Sequence, residues 1–298
     1  MITHIIFHIL ILVIQIFLIK GGKTIAYDKE KKIIVCVPPK SGSTSFWNWY
    51  YSIKFSKKWK YKDFPWIQDV TSIRWNDTMR YLTSRQEWSY FHQEKDDKVA
   101  YSIAIIRDPK ERLISSWKSK LACDVKKYKT DIHDRARMIT SLLELLPDWN
   151  EYNINGGKKL IPDCLKISHF LDVMLKITKS VTNLRQMSQI NGHFRSQRSI
   201  CFTKADPSLW NQVSLISNTT VIRELGQHLG IDINEHPLEH EHKTAKVRVN
   251  LTPEDERKLD LITATDYKFL NKYLSNYSNS YKQKKKNGVK KEAFMNID

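Results

Sequence analysis

Residues 33–47, IIVCVPPKSGSTSFW, constrain the fold more than any other stretch: an apolar run of strand type breaks at two prolines into a turn of one lysine, one glycine and several hydroxyls. Val35, Cys36 and Val37 suit a buried parallel strand, Pro38 and Pro39 end its ladder, and residues 44–55 can start a helix. The turn then stands at a helix N-terminus. There, N–H groups without an intrahelical acceptor and the positive end of the macrodipole favour an anion. Lys40 adds a full charge, Ser41, Ser43, Thr44 and Ser45 add donors, and Gly42 lets the backbone approach closely. A plain strand-to-helix turn is the alternative reading. An ordinary triphosphate loop is excluded, because it takes two glycines with the lysine after the second, whereas Lys40 precedes the turn's glycine.

A second strand-to-helix junction follows at residues 101–120, YSIAII leading into RDPKERLISSWKSK. Asp108 suits an N-cap, Pro109 the first helical position, and Glu111 the place where a capping box sets its acid. Arg107 is left at the strand end. Ser115 lies about two turns into the helix, roughly 10 Å along its axis, where its hydroxyl and a long guanidinium can share one phosphate.

The string PKSGST resembles the 5′-phosphosulfate loop of sulfotransferases, which move a sulfuryl group from 3′-phosphoadenosine 5′-phosphosulfate to a hydroxyl. Arg107 and Ser115, eight positions apart, resemble the pair that such enzymes place on the 3′-phosphate of this donor. The form RDPxERLxS is similar to that of Golgi carbohydrate sulfotransferases. Residues 163–175 (DCLKISHFLDVML), 193–201 (HFRSQRSIC) and 251–273, with the pair Asp266 and Tyr267, resemble later segments of that family more loosely. The resemblance implies an α/β, three-layer, P-loop-like sulfotransferase fold with a central parallel sheet, a glycan acceptor, the phosphosulfate donor and no metal. It implies that Lys40 neutralises the leaving phosphate while Ser41 to Ser45, Arg107 and Ser115 hold the donor. The proton acceptor is sought among His92, in a region where some glycan sulfotransferases carry a base, His193 and, more weakly, Glu94.

Two other classes were weighed. A kinase with a variant phosphate loop would need a magnesium-binding acid and triphosphate-type glycines, neither of which the sequence offers. A basic glycan-binding protein of the same fold without turnover is opposed by the intact Lys40, Arg107 and Ser115. The 49 Lys and Arg against 32 Asp and Glu give a net charge of +17, a field that draws polyanions of many kinds. Nucleic acid is not the expected partner, since no zinc-finger spacing, RNA-recognition signature or heptad pattern accompanies the basic residues.

A chain of 298 residues with 41% hydrophobic content is read as one main domain. Residues 1–20 form a signal anchor or signal peptide, 21–32 a short stem, 33–280 the sulfotransferase domain, and 281–298 a basic disordered tail with the run KQKKKNGVKK. Residues 2–19 carry no charge and would reach about 27 Å as a helix, slightly short of a bilayer core. The lysines that follow them oppose the anchor orientation, and residues 24–26 (TIA) allow cleavage. Both alternatives put the body in the secretory pathway, on a Golgi membrane or secreted. Sequons at Asn76, Asn218, Asn250 and Asn276 agree with that placement. Cys36 is expected to be a buried thiol, leaving Cys123, Cys164 and Cys201 for one bridge, with Cys123–Cys164 as one pairing. The loop at 56–98 offers Trp59, Trp66, Trp75 and Trp88 for the core or for sugar stacking. Its sequence leaves chondroitin, heparan and N-glycan acceptors equally open.

Overall fold

The computed structural model describes residues 25–56, 79–81, 99–123, 132–146, 164–181, 190–202, 210–217, 219–238 and 249–274. The N-terminal apolar segment, His92, Glu94, the four tryptophans between 59 and 88, three of the four sequons and the basic tail lie outside these residues. Among the described residues no helix is long and apolar enough to cross a membrane.

Five strands form one sheet in the order β3-β1-β2-β4-β5. They are β1 (Ile25–Asp28), β2 (Ile33–Cys36), β3 (Met79–Tyr81), β4 (Tyr101–Ile106) and β5 (Gln212–Leu215). The two strands read from the sequence, β2 and β4, run parallel, with Val35 opposite Ile103, and β5 joins them in the same direction, with Ile105 opposite Ser214. The sheet as a whole is mixed around this parallel centre: β1 pairs antiparallel with both β2 and β3. The residues read as a stem are thus partly sheet. Ile25, Ala26 and Tyr27 are buried, and the charged run 29–32 is the hairpin turn. Asp28 holds that turn by accepting from the N–H groups of Glu30 and Lys31, so its polar sequence reflects a bend rather than a linker.

Side-chain alternation sorts the strands onto two faces. Ile33, Val35, Ile103 and Ile105 pack against α1 (Ser43–Phe55) and α6 (Thr219–Leu229) through Phe46, Trp47, Tyr50, Val221 and Leu225. Ile34, Cys36, Ala104 and Ile106 face α5 (Gln197–Cys201) and α7 (Pro253–Tyr273) through Ile200, Phe269 and Leu270. The result is the expected three-layer α/β unit. A further apolar cluster joins α7 to α2 (Pro109–Lys120), α3 (Ile132–Leu143) and α4 (Ile167–Ser180) around Leu113, Trp117, Leu142, Phe170 and Leu259.

Two disulfides tie these parts. Cys123–Cys164 is the pairing weighed from the sequence. Cys36, expected as a free thiol, is instead bonded to Cys201. The pleat explains the difference: Cys36 points to the face opposite Val35, where the last residue of α5 lies.

Candidate active site

The carboxyl ends of the adjacent parallel strands β2 and β4 carry the two motifs, where open α/β sheets bind their ligands. After β2 the chain turns through Pro38 and Pro39, with Ser41 N–H donating to the Pro38 carbonyl. Lys40 and Gly42 both adopt positive φ, 66° and 74°. A Cβ on Gly42 would stand 3.2 Å from Ile216 Cγ1, so glycine serves the turn by conformation and by space. Gly42 is the N-cap of α1 and supplies no capping side chain, whereas α2, α5 and α7 are each closed by one. The start of α1 therefore presents its first N–H groups and its dipole toward the turn.

After β4, Asp108 caps α2 as expected, accepting from the N–H groups of Lys110 and Glu111 at 3.0 Å. Glu111 departs from the expected capping box. Its carboxylate turns instead to the Arg107 guanidinium at 3.3 Å, one turn back along the chain. The same guanidinium reaches the Lys40 carbonyl in a long contact of 3.5 Å. Lys40 and Arg107 are accordingly neighbours on one rim. Ser115 is buried on α2, and Ser41, Ser43 and Ser45 are buried in the turn and first helical residues, with Thr44 partly exposed.

The rim gathers cations. Lys40 has its pKa lowered from 10.5 to about 7, first by burial and then by the ammonium of Lys120 and the guanidinium of Arg107. Cations held this close repel one another, and an anion between them would relieve that repulsion. His193 is pushed well below 6.5 by burial and by Lys120, Lys40 and Arg112, which places it among the same charges as a neutral imidazole.

Three residues that the sequence reading did not single out build the site. Gln197 is fully buried, and its Oε1 accepts from Ser41 Oγ at 3.0 Å and from Arg107 N–H at 2.8 Å. Its Nε2 donates to the Arg107 carbonyl at 2.7 Å. Arg112 spends its guanidinium on the carbonyls of Pro39, Gly192 and Arg195, at 2.9, 2.9 and 2.8 Å, and burial lowers its pKa to about 10. Lys120 shares a helical face with Arg112 and Ser116, four residues apart in each step, and Ser116 Oγ donates to the His193 carbonyl. Signals for Gln197 and Arg112 were present in the stretches HFRSQRSIC and RDPKERLIS, though without a role attached; Lys120 carried none, since lysines abound in this chain.

The pair Asp266 and Tyr267 supports this constellation from α7. The Asp266 carboxylate accepts from the N–H groups of Gln197 and Arg198, both at 3.0 Å, and burial raises its pKa despite these bonds. Tyr267 donates to the Asp108 carboxylate at 2.9 Å. Among the described residues no cluster of His, Cys, Asp or Glu is arranged to hold a metal ion.

A family model described as "Sulfotransferase family" matches residues 23–222. No curated protein and no solved structure matches the chain.

Proposed function

The chain belongs to the sulfotransferase family, and on that premise we propose that it transfers a sulfuryl group from 3′-phosphoadenosine 5′-phosphosulfate to a glycan hydroxyl in the Golgi lumen. The observation that carries this reading is the junction of the Lys40 turn with the Arg107 strand end through one amide, Gln197. One nucleotide can then span the two motifs. The donor supplies an activated sulfuryl group whose bond to the 5′-phosphate breaks as an acceptor oxygen bonds to sulfur in line.

Lys40 and the N–H groups at the start of α1 lie where negative charge grows on the leaving phosphate. Ser43, Thr44 and Ser45 add donors to the same end, whereas Ser41, expected from the sequence to do likewise, commits its hydroxyl to Gln197 and its N–H to Pro38. Arg107, oriented by Glu111, and Ser115 hold the 3′-phosphate. These residues act by position and preorganised charge, and none needs to bond covalently to the substrate. The acceptor proton passes to a histidine. His193 stands among the site's cations, and its neutral imidazole can accept a proton once donor phosphates offset their field; His92 is the second candidate. Residues 2–19 attach the protein to the membrane or are removed as a leader. Two disulfides and an exposed sequon at Asn250 support a luminal body.

The test incubates the full chain with radiolabelled phosphosulfate donor and a panel of desulfated chondroitin, heparan and N-glycan acceptors. Label is expected on at least one glycan, in the presence of chelator, and at least about a hundredfold more slowly with Lys40→Ala. Glycan binding without transfer, or metal-dependent use of ATP, would overturn the reading in favour of a binding protein or a kinase. Comparing His92→Gln with His193→Gln assigns the base, which is the variant that removes the acidic limb of the pH profile.

A further inference from the structure

Both ends of the site meet at a residue that reaches neither phosphate by motif. Gln197 makes three hydrogen bonds with its side chain, one to the turn that carries Lys40 and two to the peptide groups flanking the Arg107 Cα. Both lone-pair sites of its amide oxygen and one of its two amide N–H groups are committed to these partners. The oxygen accepts twice and the nitrogen donates once, all in a buried setting where losing a partner is costly.

The residue is itself held on three sides. Its own N–H is fixed by Asp266, Ser196 caps its helix by accepting from Ser199 N–H, and Cys201 at the end of that helix is bonded to Cys36 at the end of β2. A side chain so restrained cannot follow the turn if the turn moves; it sets the turn's place. Arg112 holds the neighbouring Pro39 carbonyl from another helix, so Ser41 and Pro39 are pinned from opposite sides of Lys40.

We propose that Gln197 is a positioning residue that sets the distance between the 5′-phosphosulfate turn and the 3′-phosphate arginine, so that one buried amide governs the grip on both ends of the donor. The proposal rests on the donor reading above. It assigns Gln197 no contact with the reacting atoms. A charge placed on one end affects one phosphate, whereas the spacer affects both.

The test measures binding of adenosine 3′,5′-bisphosphate, adenosine 5′-phosphate and adenosine 3′-phosphate to the full chain by calorimetry. Lys40→Ala should weaken the 5′-phosphate ligand and spare the 3′-phosphate ligand, and Arg107→Ala should do the reverse. Gln197→Met, which keeps the volume and removes all three hydrogen bonds, should weaken both by about tenfold, as stranding buried partners predicts. A merely structural role would reduce the fraction of folded chain and hence the number of sites titrated, leaving the affinity of each site intact. If Gln197→Met does not fold, Gln197→Asn keeps a neutral amide one methylene too short to hold Ser41 and Arg107 together, and is read in the same way. Unchanged affinities, or a loss confined to one monophosphate, would overturn the proposal while leaving the donor site standing. Failure of the unmutated chain to bind any of the three nucleotides would overturn the donor reading itself.

Discussion

The hydroxyl of Tyr267 lies 2.9 Å from one carboxylate oxygen of Asp108 and 3.1 Å from the other, joining the last described helix to the cap of the helix that follows Arg107. Asp108 thus serves two partners, the first turn of α2 and a tyrosine 159 residues away. Tyr267→Phe should cost about 1 kcal/mol, the usual net worth of such a bond, and Asp108→Ala about 1–2 kcal/mol because the cap is lost as well. Urea unfolding of both variants checks the order; equal losses would show that the cap adds nothing beyond the bond to Tyr267.

Lys40→Ala should lower kcat by about a hundredfold to a thousandfold, the range seen when a preorganised donor to a developing charge is removed. Arg107→Ala should act chiefly on the KM for the donor, since a remote anchor is felt in the ground state and transition state alike. Steady-state kinetics with a fixed glycan acceptor separates the two patterns.

The lowered pKa of Lys40 gives a signed pH dependence. Its folded value, about 7, lies below the ordinary 10.5, so across that window the unfolded chain binds the extra proton and the stability of the free protein rises with pH. A bound anion opposes the shift. Binding of adenosine 3′,5′-bisphosphate at about pH 8 should therefore take up a proton. Calorimetry in two buffers of different ionisation heat measures the uptake, and Lys40→Ala should abolish it.

Gly42→Ala meets two obstacles, a φ of 74° and Ile216 at 3.2 Å from the new carbon. A destabilisation of about 1–2 kcal/mol follows from the left-handed backbone alone. Thermal melting should show that loss, and donor affinity should fall with it because the start of α1 is displaced. The double variant Gly42→Ala with Ile216→Ala should recover part of the stability and not all of it.

The two disulfides should differ in their effect on donor binding. Closing loops with separations of 165 and 41 residues stabilises the fold by about 5 and 4 kcal/mol in the chain-entropy limit. Cys123→Ser with Cys164→Ser should therefore lower the melting temperature while nucleotide affinity holds. Cys36→Ser with Cys201→Ser should lower both, because α5 carries Gln197. Equal nucleotide affinities in the two double variants would separate the bridge from the site.

What could be read from the sequence is what local chemistry writes into adjacent residues. The strand-turn-helix junctions at Lys40 and Arg107 were legible because prolines, glycine and capping residues act within a few positions. The start of the helix at 253–273 is written in the same local way, with Thr252 as cap and Pro253 in its first turn. The hairpin of β1 was hidden because its turn, 29–32, is all charge, and the four-residue strand before it is too short to show alternation. Cys36–Cys201 was hidden because it depends on which face of β2 meets α5. Gln197 and Arg112 stand in stretches that resemble the family, yet they act across 90 and 73 residues of chain, and local sequence does not name a partner that distant.

Helix α7 begins at Pro253, beyond the residues 23–222 that match the family. Yet Asp266 fixes the helix of Gln197 and Tyr267 braces the cap of α2, so the segment least defined by kinship underwrites the two places that define the kinship. Substitutions on this outer helix offer a route by which a lineage could retune how hard it clasps the nucleotide while leaving every recognised motif letter untouched.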